Sequence, residues 1–212
     1  MNCSKISEKV AIIDYKAGNA PSVMHAVRKA GANAILAKTA KDIEDATHII
    51  LPGVGSASAT MLSLYEMGFI TELENAVKHK KIPFLGICIG MQILFDHSEE
   101  SDAEGLGWLK GKVVRYDKTK ERVPQMGWNK VSFTKKTPVE TKDDYYYFVN
   151  SYYVKPENEE DIWGVAKHGV TFTAAACREN IYAMQFHVEK SGETGIDLLR
   201  SFLKLKAGDF KC

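Results

Sequence analysis

The sequence predicts a single α/β domain in which helices flank a mostly parallel sheet, with an antiparallel strand extension in the second half. In the first half, short β-rich runs alternate with helical patterns, which is typical of a parallel sheet covered on both faces. From Lys112 onward, closely spaced strand patterns separated by turn signals take over. No repeat, low-complexity tract or Pro/Gly linker divides the chain, so we expect one domain over residues 1–212.

The individual elements follow from apolar runs and from residues that begin or end helices. Pro21 suits a first helical turn and Gly31 suits a helix end. In the first half we expect strands at residues 10–14, 33–37, 48–51 and 83–87 and helices at 21–30, 58–67, 70–79 and 90–95. In the second half we expect strands at residues 112–116, 130–133, 145–149, 152–155, 163–167, 172–178 and 181–186, and a closing amphipathic helix at 192–205.

The composition excludes several classes of protein. The 212 residues include 28 Lys+Arg and 27 Asp+Glu, and this balance provides no long-range field for nucleic acid or anionic membranes. The longest charge-free apolar stretch, residues 82–95, is shorter than the ~20 residues of a membrane span, and the polar first residues do not resemble a signal peptide.

The four cysteines stand at positions 3, 88, 177 and 212, without a CxxC pair or metal-ligand spacing. A reducing cytoplasm is therefore the simplest expectation, although paired disulfides in a secreted form stay possible.

The segment from Pro83 to Gln92 is the most informative part of the chain. An apolar strand runs into Gly86-Ile-Cys88-Ile-Gly90 and then directly into a helical pattern. This is the cysteine form of the nucleophile elbow, whose sharp strand-to-helix turn needs small residues two positions either side of the nucleophile. The helix N-terminus should favour the thiolate, and the backbone N–H of Ile89 is placed to bind a developing oxyanion. The alternative is a buried core cysteine.

A nucleophilic cysteine needs a base and a group that orients that base. His187 and Glu189 stand two residues apart at the predicted end of the last strand, and in extended backbone their side chains would point to the same face. A carboxylate beside an imidazole fixes its tautomer and stabilises the imidazolium. The other five histidines have no such context.

A third segment, Leu51-Pro-Gly53-Val54-Gly55-Ser56, follows a predicted strand and precedes a helix. Its glycines would let backbone N–H groups approach an anion, as in an oxyanion hole, although such turns can also simply connect strand to helix.

Together with three further motifs, these segments extend over nearly the whole chain: residues 12–15 with Gly18-Asn19, 51–55, 85–92, 126–129, 147–153 and 185–191. In this order they resemble the class I (triad) glutamine amidotransferases, which release ammonia from glutamine. Within that family, Met126-Gly-Trp-Asn129 and the Tyr/Phe-rich strand are most similar to the glutaminase subunits of imidazole glycerol phosphate synthase, of histidine biosynthesis.

The resemblance implies a role for each matching residue. Cys88 matches the nucleophile, His187 the general base and acid, and Glu189 the orienting carboxylate. The residues matching the oxyanion-binding part are Gly53, Val54 and Ile89, and those matching the glutamine-binding part are Gln92, Asn150, Ser151 and Tyr152.

The resemblance also implies a cytoplasmic heterodimer. Its partner would be a cyclase subunit with a TIM-barrel fold, which uses the ammonia to make imidazole glycerol phosphate and AICAR. No metal or organic cofactor is implied for this chain.

Three departures from the family pattern keep alternatives open. Val188 stands where the family usually has Pro, Asn150 where it usually has His, and Lys16-Ala17 with Ala20-Pro21 replace the commoner residues after the first strand. A paralogue supplying ammonia for amination of a surface-polysaccharide sugar is one alternative. A non-catalytic regulatory subunit is another, and a peptidase or glutamyl hydrolase built on the same elbow is a third.

Overall fold

The computed structural model describes residues 9–16 and 19–208 of the chain. Of the positions discussed above, Cys3, Ala17, Gly18 and Cys212 lie outside the described residues. The strands are β1 (Lys9–Ile13), β2 (Asn33–Ala37), β3 (His48–Leu51), β4 (Phe84–Ile87), β5 (His97–Ser98), β6 (Ala103–Glu104), β7 (Gly111–Arg115), β8 (Gln125–Phe133), β9 (Asp144–Asn150), β10 (Tyr152–Pro156), β11 (Ile162–His168), β12 (Val170–Arg178) and β13 (Ile181–Met184). The α-helices are α1 (Ala20–Lys29), α2 (Ala57–Glu66), α3 (Phe69–Glu74), α4 (Ile89–Gln92) and α5 (Gly192–Phe202).

The first half forms the predicted parallel sheet, and its strand order is β2-β1-β3-β4. Every residue of β3 and β4 is buried, which accounts for their continuous apolar runs. Strand β13, from the far end of the chain, pairs in parallel with β4 and so continues this sheet.

The second half supplies the predicted antiparallel strands. β12 pairs antiparallel with β13 and with β10, and β10 pairs antiparallel with β7. A separate arm runs from β12 through β11 and β8 to β9, with every pairing antiparallel. The fold class predicted from the sequence is therefore confirmed. The extent of the domain over residues 1–212 stays a prediction.

Several predicted elements differ in length or position from those in the structure. Strand β8 begins at Gln125 rather than residue 130, so the motif at 126–129 lies within a strand. Helix α4 has only four residues, and the two-residue strands β5 and β6 were not predicted. Helix α3 ends at Glu74 and continues as a π-helical turn, Asn75–His79.

Two amphipathic helices, α1 and α5, pack against each other beside the parallel sheet. Their apolar side chains, among them Val23 and Val27 of α1 and Leu199 and Phe202 of α5, join the core. In the described ranges, no helix has the length and apolar character needed to cross a membrane.

The parallel sheet brings four distant segments of the chain to one edge. Strands β1, β3, β4 and β13 run in the same direction, so their carboxyl ends lie along the same edge. Tyr15, Gly53, Cys88 and Gln185 follow these four ends. The carboxyl edge of a parallel sheet is the usual place for a ligand or active site in such folds.

Candidate active site

Cys88 lies on a strained turn between β4 and α4. Its backbone has φ 56° and ψ −108°, a conformation that costs energy for a residue with a side chain. The two glycines flanking it are needed for close packing, as expected for a nucleophile elbow. A Cβ at Gly86 would lie 2.5 Å from the carbonyl oxygen of Gly90, and a Cβ at Gly90 would overlap the carbonyl oxygen of Leu51.

The helix that follows Cys88 is shorter than predicted. Because α4 has only four residues, few peptide dipoles add along its axis, and its N-terminus attracts a thiolate less than a full helix would. Stabilisation of a Cys88 thiolate must therefore depend more on the side chains around the sulfur.

The structure brings His187 and Glu189 together next to Cys88. The imidazole Nδ1 lies 2.8 Å from Glu189 Oε1, and the two side chains are 2% and 0% exposed. Glu189 Oε1 also accepts a hydrogen bond from Asn19 Nδ2 at 3.5 Å. Burial lowers the pKa of the His187 imidazole, but its hydrogen bonds with Cys88 and Glu189 outweigh burial and raise this pKa from 6.5 to about 9. These contacts therefore favour the protonated form of the imidazole.

The contact between His187 and Glu189 does not arise from extended backbone, so the reasoning from strand alternation was wrong. Strand β13 already ends at Met184, and Val188–Lys190 form a 3₁₀ turn that folds Glu189 back onto the imidazole. Ser191 fixes the end of this turn, because its Oγ donates to the His187 carbonyl at 2.7 Å. The same Oγ accepts the backbone N–H of Tyr147 at 3.0 Å.

The three residues expected at the oxyanion site lie together beside Cys88. A Cβ at Gly53 would stand 2.6 Å from Tyr15 Oη and 2.8 Å from Ile89 Cβ, so this segment packs directly against the elbow. Val54 and Ile89 line the same cavity as Cys88.

That cavity has a volume of about 330 Å³, which suits a small molecule of amino-acid size. All four residues expected to bind glutamine line it: Gln92, Asn150, Ser151 and Tyr152. The buried oxygens Gln92 Oε1 and Asn150 Oδ1 have no hydrogen-bond partner among the described residues. Polar side chains make up much of the lining, so the cavity is suited to a polar ligand.

Two residues at the site were missed by sequence reasoning. Glu100 lines the cavity, and its Oε2 accepts the N–H of Ala57 at 2.9 Å. Gln185, the first residue of the motif at 185–191, is fully buried, and its Nε2 lies 3.5 Å from Cys88 Sγ. No local pattern distinguishes either residue, because both roles depend on how distant segments pack.

Over the described part of the chain, no group of three or more His, Cys, Asp or Glu side chains is arranged to hold a metal ion.

Comparison with known proteins gives the class of this chain. The family model described as "Glutamine amidotransferase class-I" matches residues 11–205. The chain therefore belongs to the class I glutamine amidotransferase family, which confirms the family resemblance inferred from its motifs.

Within this family, the chain is similar to several proteins named as subunits of imidazole glycerol phosphate synthase. The chain is 42% identical over 202 residues to "Imidazole glycerol phosphate synthase subunit HisH 1" of Campylobacter jejuni (strain RM1221), covering 92% of this chain and 100% of that protein. It is 38% identical to "Imidazole glycerol phosphate synthase subunit HisH" of Leptospira borgpetersenii, with the same coverage. It is 39% identical to the "HisH 2" subunit of Pseudomonas aeruginosa PAO1, covering 92% of this chain and 99% of that one.

Solved structures share the fold at lower sequence identity. "Crystal structure of glutamine amidotransferase" superposes with a TM-score of 0.74 at 19% identity, covering 92% of this chain and 97% of that one. "Structure of PurLQS from Thermotoga maritima" gives a TM-score of 0.76 at 17% identity, with coverage of 93% and 98%.

Proposed function

We propose that this protein is the glutaminase subunit of an imidazole glycerol phosphate synthase. It would hydrolyse L-glutamine to glutamate and ammonia and deliver the ammonia to a cyclase subunit in histidine biosynthesis. The observation that carries the proposal is the buried array of Cys88, His187 and Glu189 at a cavity of amino-acid size lined by polar side chains. The similarity to relatives named as HisH subunits, over nearly their whole length, supports the pathway.

In the proposed first half-reaction, the Cys88 thiolate attacks the carbon of the glutamine side-chain amide. The developing oxyanion is bound by backbone N–H groups at Ile89 and at the Gly53-Val54 segment. The C–N bond then breaks, and the His187 imidazolium gives its proton to the departing nitrogen, which leaves as ammonia. A γ-glutamyl thioester on Cys88 results.

Water completes the cycle. His187, now neutral, takes a proton from the attacking water, and the tetrahedral adduct collapses to release glutamate and the Cys88 thiolate. Throughout, Glu189 holds the imidazole by Nδ1, so that the other ring nitrogen faces the reaction.

Charge in the cavity suits the amino-acid end of glutamine. We assign the Glu100 carboxylate to the α-ammonium group, because opposite charges within contact distance attract strongly at a partly buried site. Gln92 and Asn150 offer acceptors to the same end of the substrate.

The proposed docking face for the cyclase is an exposed aromatic and apolar patch on β8. Met126 is 67% exposed and Trp128 is 55% exposed, and such side chains on one face of a strand are typical of an interface. Trp128 contacts Tyr147 edge to face, and Lys190, which lines the cavity, lies 6.0 Å from the centre of the Tyr147 ring. The patch therefore continues to the mouth of the cavity, where ammonia must leave.

The proposal places the reaction in the cytoplasm, because a catalytic Cys88 must remain a free thiol. Among the described residues, Cys88 is a free cysteine.

The test is glutamate release from glutamine by the purified chain, first alone and then with the histidine-pathway cyclase and its aminoimidazole ribotide ligand. We expect a large ligand-dependent rise in the complex and its loss in Cys88→Ala, which should still bind the cyclase. Trp128→Ala should weaken binding while the catalytic residues stay intact. Hydrolysis retained by Cys88→Ala would remove Cys88 from its role, and activity that never responds to the cyclase would point to a paralogue with another partner.

A further inference from the structure

Gln185 lies just beyond β13 and contacts the sulfur of Cys88. Its side chain is 0% exposed, and its backbone N–H donates to Ala174 O at 2.9 Å, which fixes the residue in the sheet. Its Nε2 lies 3.5 Å from Cys88 Sγ, a normal distance for an N–H donor to sulfur.

A chain of hydrogen bonds determines which end of the Gln185 amide faces the sulfur. The Tyr152 carbonyl can only accept, so the Gln92 amide must turn its Nε2 towards it, at 3.4 Å. That same Nε2 donates to Gln185 Oε1 at 3.0 Å. Because Oε1 of Gln185 is engaged there, its NH₂ group is the end that meets the sulfur.

The surroundings of the sulfur make this donor important. Cys88 is only 4% exposed, so water can give a thiolate little stabilisation. The Val149 carbonyl, 4.0 Å from Sγ, can accept from a thiol but repels a thiolate. The short helix α4 adds little. The titratable groups that interact with the sulfur are His187, whose imidazole forms a hydrogen bond with Cys88, and Tyr15. A thiolate therefore depends on His187 and on the Gln185 amide.

We infer that Gln185 is a positioning residue that holds Cys88 in its reactive thiolate form by donating a hydrogen bond to the sulfur. Gln92 orients the Gln185 amide for this role. A hydrogen bond to a charged group typically changes an equilibrium by at least about tenfold, so its loss should lower the thiolate fraction by that order. The inference rests on the proposed role of Cys88 as the nucleophile.

The test is the rate of Cys88 alkylation by iodoacetamide as a function of pH, since only the thiolate reacts. Gln185→Leu removes the donor at similar volume, and Gln185→Met replaces the amide with an uncharged side chain of similar length that has no donor. Cys88→Ala provides the background from the other cysteines. Asn180→Ala is the matched control, because it removes another buried side-chain amide, which donates to Val77 O and Ile82 O.

We expect both Gln185 variants to react about tenfold more slowly than wild type near neutral pH and to approach the wild-type rate in alkaline solution. Asn180→Ala should lower the melting temperature and leave the pH profile unchanged. If Gln185→Leu does not fold, Gln185→Met alone decides. Wild-type pH profiles in the folded Gln185 variants would overturn the inference, and so would an equal shift in Asn180→Ala.

This experiment is independent of the proposed glutaminase activity. Failure of the proposed function would appear as no glutamine hydrolysis by wild type with the cyclase, or as hydrolysis retained by Cys88→Ala. Failure of the inference alone would appear as unchanged alkylation in the Gln185 variants while wild type hydrolyses glutamine and Cys88→Ala does not.

Discussion

Replacing Glu189 by Gln tests how the carboxylate controls the charge of His187. The amide is almost the same shape as the carboxylate and can still accept the Nδ1–H, so the substitution removes charge more than contact. Both side chains are buried and 2.8 Å apart, so this charge acts with little screening by solvent.

The magnitude follows from the pKa of His187, which lies at about 9 instead of 6.5. A difference of this size corresponds to about 3 kcal/mol in favour of the charged imidazole in the folded protein. Cys88 and Glu189 share the effect, so we assign about 1–2 kcal/mol to the carboxylate. Without it, burial should draw the pKa of His187 back towards its ordinary value or below.

The sign of the pH dependence follows by linkage. Because the pKa of His187 is raised in the folded state, the stabilisation is complete below about pH 6.5 and is lost as pH rises through about 9. Wild type should therefore exceed Glu189→Gln in unfolding free energy by about 1–2 kcal/mol at about pH 6, and the difference should approach zero at about pH 10.

The assay is urea unfolding of both proteins across this range, with Glu193→Gln as the control. Glu193 is an exposed carboxylate four residues along the chain that pairs with Lys29, so its loss should have a small effect without this pH dependence. In parallel, the alkaline fall of kcat/KM should move to lower pH in Glu189→Gln. A difference between wild type and variant that stays constant from about pH 6 to about pH 10 would refute the assignment of charge to this pair.

Two further predictions concern the elbow and the core. Gly90→Ala should lower the melting temperature and abolish hydrolysis, because its Cβ would overlap the Leu51 carbonyl. The overlap should lower the free energy of unfolding by about 1–3 kcal/mol or more. A melting curve like that of wild type would contradict this prediction. Burial lowers the pKa of His48 to about 4, so the unfolding free energy of wild type should fall by about 3 kcal/mol as pH falls from about 6.5 through about 4. In urea unfolding, His48→Gln should lose much less stability over the same pH range. Equal acid sensitivity of the two proteins would contradict this prediction.

The parts of the fold that the sequence predicts are those with local signals. Continuous apolar runs mark β1, β3 and β4, and the spacing of Gly86, Cys88 and Gly90 marks the elbow. Pairings between distant segments have no such signal. The parallel addition of β13 to β4 depends on contacts between Ile181 and Phe84 and their neighbours, nearly a hundred residues apart. The two-residue strands β5 and β6 are too short to give a pattern of their own. They are defined by pairing, of β5 with β6 and of β5 with β7.

The residues of the candidate site also include some that have a local sequence signal and some that do not. Cys88 and the His187/Glu189 pair could be named because their residue types and spacing are unusual together. Glu100 and Gln185 could not, because one acidic residue in an acidic loop and one Gln beside an apolar strand look ordinary until the chain is folded. The 3₁₀ turn after His187 was missed for a related reason, since a strand pattern does not show where its last residues leave the sheet.

The geometry also explains why two departures from the family pattern leave the site intact. Val188 is the first residue of the 3₁₀ turn, a position whose N–H has no partner within the turn, so the site does not need the fixed ring of a Pro there. Asn150 donates from Nδ2 to Tyr116 Oη at 3.3 Å and to Tyr152 O at 2.9 Å, which holds its amide in place beside the cavity. A neutral histidine offers only one donor, so it could not make both of these contacts. Under the proposed function, position 150 would affect how the amino-acid end of glutamine is held, whereas the contact between His187 and Glu189 is fixed separately by the turn at Val188–Lys190.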